Sequence, residues 1–138
     1  MPFKNPASSN PKARVQSFTV GTVLYGTDAA TAGRYERFWT APAKCVIDAV
    51  TATWSVAGTT STLQVEKVPS GTAQGSGTNI LSATINTAGT ANTNTAGTLS
   101  TTDATVELAS GDSLALVNGG DLTNLVDLQV TIGAHWIP

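Results

Sequence analysis

The stretch Val126-Asp127-Leu128-Gln129-Val130-Thr131-Ile132 sets four aliphatic residues against three polar ones in strict alternation. A period of two sends successive side chains to opposite faces, so this is a β-strand with one buried and one wet face. A longer strand is expected from Cys45 to Ala57. There Val46, Val50, Ala52, Trp54 and Val56 share one parity, and Ile47, Ala49, Thr51, Thr53 and Ser55 take the other. Asp48 breaks the apolar set and is placed near the strand's wet end. Gly58-Thr59-Thr60 reads as a turn. Thr62 to Val68 then returns with Leu63 and Val65 inward and Gln64 and Glu66 outward, a hairpin with the strand before it.

Working outward, Val15 to Gly26 is a first strand, with Gly21 as the candidate position for a bulge, and Thr27 to Gly33 is a loop of small residues. Arg34 to Thr40 is a short aromatic strand. Pro69 to Thr78 is a Gly/Ser-rich loop, and Asn79 to Asn86 is a strand, with a helical turn as the alternative. The pentapeptide Asn86-Thr87-Ala88-Gly89-Thr90 recurs as Asn94-Thr95-Ala96-Gly97-Thr98. Two copies are too few for a solenoid, so the echo reads as a Thr-rich loop or hairpin tip. Leu114, Leu116 and Val117 form a strand between the turn Ala109 to Asp112 and the break Gly119-Gly120-Asp121. No window holds a helical period for three turns. Some eight short strands joined by turns predict an all-β chain, an antiparallel β-sandwich that is jelly-roll-like. Residues 15–138 form one domain, and residues 1–14, with Pro2, Pro6 and Pro11, form an extended N-terminal arm.

Only 12% of the 138 residues are charged, against about 25% in an average protein. Thr, Ser, Ala, Asn and Gly fill the difference, which suits strands and suits surfaces that meet other proteins. The net charge of −2 hides a division. Met1 to Thr27 carries Lys4, Lys12 and Arg14 and no acid, whereas from Asp28 onward nine acids face four bases. The overall balance gives no case for nucleic acid. No stretch has the ~20 apolar residues of a membrane-spanning helix. The start lacks the apolar core of a secretion signal, so synthesis in a cytoplasm is expected. Cys45, the sole cysteine, sits in an apolar run and reads as a buried thiol.

Catalytic patterns are weak. His135 is the sole histidine and no Gly-x-Ser-x-Gly occurs, so no nucleophile–base–orienter set stands out. One Cys and one His make no zinc pattern, and Asp103, Asp112, Asp121 and Asp127 lack calcium-loop spacing. Gly71, Gly75 and Gly77 resemble a phosphate loop, but no Lys-Ser/Thr follows. The expectation is a protein that is not an enzyme and takes no cofactor. Two features point to binding. One is the basic arm with Lys4, Lys12 and Arg14. The other is Arg34-Tyr35-Glu36-Arg37-Phe38-Trp39, rich in hot-spot residue types, where strand parity sets Tyr35, Arg37 and Trp39 on one face. The alternative for that strand is a core role, with Phe38 inward and Trp39 at a sandwich end.

The runs Gly77-Thr78-Asn79-Ile80-Leu81-Ser82-Ala83, Gly97-Thr98-Leu99-Ser100 and Leu108 to Leu116, with the closing alternating strand, resemble small β-sandwich virion proteins of tailed bacteriophages. The resemblance spans roughly Cys45 to Ile132 and lies in texture and turn placement; no catalytic motif comes with it. It implies a capsid decoration, or cement, protein on the capsid exterior, often trimeric, whose partner is the major capsid protein or another virion protein. A tail-fibre, collar or neck module binding host glycans is the alternative role.

Overall fold

The computed structural model describes residues 16–24 and 35–138; the arm over 1–14, with Lys4, Lys12 and Arg14, and the loop over 27–33 lie outside them. Among the described residues ten strands follow one another. They are β1 (Ser17–Leu24), β2 (Tyr35–Thr40), β3 (Cys45–Thr53), β4 (Thr62–Val68), β5 (Thr78–Asn79), β6 (Ile85–Asn86), β7 (Thr95–Ala96), β8 (Glu107–Leu108), β9 (Ser113–Gly119) and β10 (Leu128–Trp136). A single helical turn, Asp103–Val106, precedes β8.

Two antiparallel sheets result. Sheet A has the order β1-β10-β3-β7, with β8 beside the other half of β3; sheet B has the order β2-β9-β4-β5, with β6 beside the other half of β4. The chain crosses between sheets from β1 to β2, β2 to β3, β3 to β4, β6 to β7, β8 to β9 and β9 to β10. Two interleaved five-stranded sheets with this crossing pattern are the jelly-roll sandwich expected from the strand spacing. One expected pairing fails. β3 and β4 form no hairpin, because the 54–61 connection carries the chain from sheet A to sheet B. Gly58 permits that crossing: a Cβ there would lie 2.0 Å from Ser61 Oγ.

The core lies between the sheets. From β10 it takes Leu128, Val130, Ile132 and Ala134; from β4, Leu63 and Val65; from β9, Leu114 and Leu116. β10 starts two residues later than its alternation predicts, since Asp127 takes a φ of 52° and Val126 bridges Val56 instead. β1 runs through Gly21 without any register shift, so no bulge occurs there.

Bulges occur instead in β3 and β2. Between β10 and β3 the register shifts at Gly133/Ala134, so that Gly133 faces Ala49, Ala134 faces Ile47, and Asp48 is the extra residue. One inserted residue reverses the phase of a strand. Cys45 and Ile47 are therefore buried on one side of the bulge and Val50, Ala52 and Trp54 on the other, while Val46 turns outward. This corrects the single parity read along 45–57, and it puts Asp48 in mid-strand.

Candidate interaction surfaces

The sequence-predicted face of Tyr35, Arg37 and Trp39 does not form. β2 shifts register against β9 between Arg37 and Trp39: Arg37 faces Ala115, and Trp39 faces Leu114. Phe38 is the extra residue, and both Phe38 and Trp39 turn to the core, half-buried. Arg37 stays on the outer side of sheet B, where its Nη2 donates to Thr72 O at 3.0 Å. The Tyr35 side chain lies outside the described part.

Trp39 joins an aromatic group at the margin where β1 and β2 run together. Phe18 of β1 stacks on Trp136 of β10 with ring centroids 4.1 Å apart, and Trp39 lies 5.6 Å from Phe18 and 6.4 Å from Trp136. Pairs in this range add about 0.5–1.5 kcal/mol beyond burial. Two of these rings come from sheet A and one from sheet B, so the group ties the sheets together at their margin. Sequence reasoning missed Phe18 and Trp136 as its members, because their proximity depends on the β1–β10 register.

The outer face of sheet B is covered. Gln64, Glu66 and Val68 of β4 and Ser113 and Ala115 of β9 all point to it, yet all are buried. The 69–77 loop lies over Glu66: its carboxylate, 2% exposed, accepts hydrogen bonds from the main-chain N–H groups of Gly75, at 3.1 Å, and Gly77. Gly75 has a φ of 86°, and a Cβ on Gly77 would lie 2.2 Å from Lys67 O, so both glycines are required by the geometry. The glycine-rich run, which lacks phosphate-loop spacing, cradles the chain's own carboxylate. Gln64, expected to be wet, instead holds the main chain of Leu81 through both ends of its amide.

The outer face of sheet A is open. Across β1, β10 and β3 it presents Ser17, Thr19, Gly21, Val23, Gln129, Thr131, Gly133, His135, Val46, Ala49 and Thr51, and its one carboxylate on these strands is Asp48. His135 Nδ1 lies 2.7 Å and 2.9 Å from the two Asp48 oxygens. An Asp–His pair is the orienting part of some catalytic sites, but no hydroxyl or thiol of the described residues is hydrogen-bonded to this ring. The pair therefore acts as a tie across the bulge. Beside it an open concavity of about 420 Å³ is lined by Ser17, Phe18, Thr19, Asp48, Gly133 and Ala134. Among the described residues no group of three or more His, Cys, Asp or Glu side chains is placed to hold a metal ion. Cys45 is buried; burial, with a smaller contribution from the Asp112 charge, pushes its thiol above the ordinary value.

No protein-family model matches this sequence, and no curated protein matches it. Among solved structures, a chain of the cyanophage Pam1 capsid asymmetric unit superposes with a TM-score of 0.54 at 14% identity, covering 99% of this chain and 100% of that one. A chain of infectious bursal disease virus, Gx strain, reaches a TM-score of 0.44 at 12% identity over 89% of this chain and 32% of that one. The first likeness shows a shared all-β fold from end to end. The second is too distant to add to it.

Proposed function

We propose that this chain is a virion structural protein, and specifically a capsid decoration protein that binds the outer capsid surface and reinforces subunit junctions. The observation that carries the reading is the end-to-end fold match to a chain of a phage capsid asymmetric unit. The neighbour is covered over its whole length, so the likeness is not to one part of a larger chain. The low charge content and the open, small-residue outer face of sheet A support the same reading, since interface cores are poor in charge.

In this reading the basic arm is the tether. An extended segment that orders on a partner covers much surface at the cost of chain entropy. Lys4, Lys12 and Arg14 would meet an acidic neighbouring subunit. The test is binding of wild type and a variant with all three basic residues neutralised to undecorated particles across a salt series. Exposed ion pairs contribute ~0.2–1 kcal/mol each, so the triple change should cost about tenfold in affinity. Salt should mimic it, because exposed charges are screened within ~10 Å at 0.1 M. Unchanged affinity with an unchanged salt slope would remove the arm's charges from the attachment.

A further inference from the structure

We infer that the outer edge of β1, beyond which no strand lies among the described residues, pairs with β1 of a second copy of this chain, about a two-fold axis. The other strand edges are protected. On the far edge of sheet A, β7 and β8 have two residues each; on the far edge of sheet B, so do β5 and β6. Edges this short offer little to a foreign strand. The near edge of sheet B is β2, which is bulged at Phe38 and carries Glu36 and Arg37 in its sequence. Bulges and charges are the usual devices that blunt an edge.

β1 has none of these. Ser17-Phe18-Thr19-Val20-Gly21-Thr22-Val23-Leu24 has eight residues, no charge and no proline, and it pairs with β10 in continuous register. Trp136 N donates to Gln16 O at 3.0 Å, which makes Gln16–Trp136 a hydrogen-bonded pair. Antiparallel ladders alternate, so Phe18, Val20 and Thr22 also point their main-chain groups at β10. The N–H and C=O groups of Ser17, Thr19, Gly21 and Val23 then point outward, with no strand beyond them among the described residues.

The occupant follows from this inventory. Since the other described edges are short, bulged or charged, a second copy has β1 as its one suitable strand. A two-fold axis perpendicular to the sheet keeps both faces in place, so opposite residues must share a face. The register centred on Val20 does this: Ser17 meets Val23 of the second copy, Thr19 meets Gly21, Phe18 meets Thr22, and Val20 meets itself. No like charges face each other, and the outward groups of all four residues pair, making about eight main-chain hydrogen bonds. Phe18, Val20, Trp39 and Trp136, half-buried along this margin, gain apolar cover from the second copy. This contact closes at two copies and so departs from the trimer implied by the bacteriophage resemblance.

The test uses the full chain. Val20→Cys places two thiols across a non-hydrogen-bonded pair with Cα atoms about 4.5 Å apart, within disulfide range, while the native Cys45 is buried. Mild oxidation should convert Val20→Cys almost wholly to a covalent dimer and leave Thr22→Cys largely uncoupled. Unmodified protein should sediment as a concentration-dependent dimer, with the Thr19, Gly21 and Val23 amides protected from exchange. Thr19→Pro, which removes only an outward donor, should give a folded monomer. A wild type that is monomeric at every concentration with those amides unprotected would overturn the inference, as would equal coupling of Val20→Cys and Thr22→Cys. Protection of β1 amides only on particles would assign the edge to a capsid strand; that overturns the second-copy pairing while leaving capsid attachment standing.

Discussion

The two outer faces of this sandwich have been treated in opposite ways. On sheet B, Gln64, Glu66, Val68, Ser113 and Ala115 are all buried, Glu66 under the 69–77 loop and Gln64 against the Leu81 main chain. On sheet A, the same kind of antiparallel surface is left open, with small and hydroxylated residues and a single Asp–His tie. A face that spends a nine-residue loop on its own cover is finished; a face of small residues left bare is available. That asymmetry leaves sheet A and its β1 margin as the open side of the sandwich among the described residues.

The largest effect that can break the comparison is an aspartate scan. Val130→Asp, between the sheets, should cost roughly 3–5 kcal/mol, the penalty of an uncompensated buried charge, and Ala115→Asp, buried on the outer face of sheet B between Glu66 and Arg37, about 1–3 kcal/mol. Thr131→Asp, on the open face, should stay within about 0.5 kcal/mol. Denaturant midpoints at constant slope measure all three. A mild Ala115→Asp would mean that the loop does not seal sheet B.

Glu66→Gln comes next. It replaces a charged acceptor under two glycine N–H groups with a neutral one, and should cost about 1–3 kcal/mol. Amide exchange at Gly75 and Gly77 should speed up ahead of the rest of the chain; uniform acceleration would mean that the loop and the sandwich open together.

The comparison also shows what could be read from residues alone. β4 was legible to its ends, Thr62 to Val68, because its alternation is clean and turns flank it. The buried side of β10 was legible for the same reason. Polar residues on β4 were misread as wet, since composition cannot show that a glycine-rich loop folds back over Glu66. The bulge at Phe38 was invisible, and the break at Asp48 was read as a strand end, because a parity reading assumes an unbroken ladder. The repeated pentapeptide makes the point most sharply. At Asn86 it forms a turn in which Asn86 Oδ1 accepts from Ala88 N and buried Thr87 donates to Ser61; at Asn94 the same five residues supply strand β7 against Thr51 and Ala52. Identical local preference yields to whichever neighbour the fold supplies. The basic arm, the other expected binding feature, was legible as charge alone.

Smaller effects sharpen the account of the open face. Asp48→Asn weakens the tie to His135, and with the carboxylate half exposed the cost should be only ~0.2–1 kcal/mol. A loss well beyond that range would make the pair a structural clamp. The smallest effect belongs to Asp121, which is fully exposed. Hydrogen bonds from the Thr123 hydroxyl and main-chain N–H hold its carboxyl below the ordinary value. Its stabilising contribution is present above the unfolded carboxyl value, and is lost as pH falls through the lowered folded one. Thr123→Val should raise the Asp121 titration midpoint, followed by carboxyl chemical shifts, while leaving the sandwich intact.

The most direct test of a decoration role is the copy number of this chain in purified particles, measured by quantitative mass spectrometry against the major shell protein. The account predicts copies in fixed proportion to the shell subunits, lost together when particles are stripped at high salt. A handful of copies per particle, tracking the tail or collar proteins instead, would contradict it.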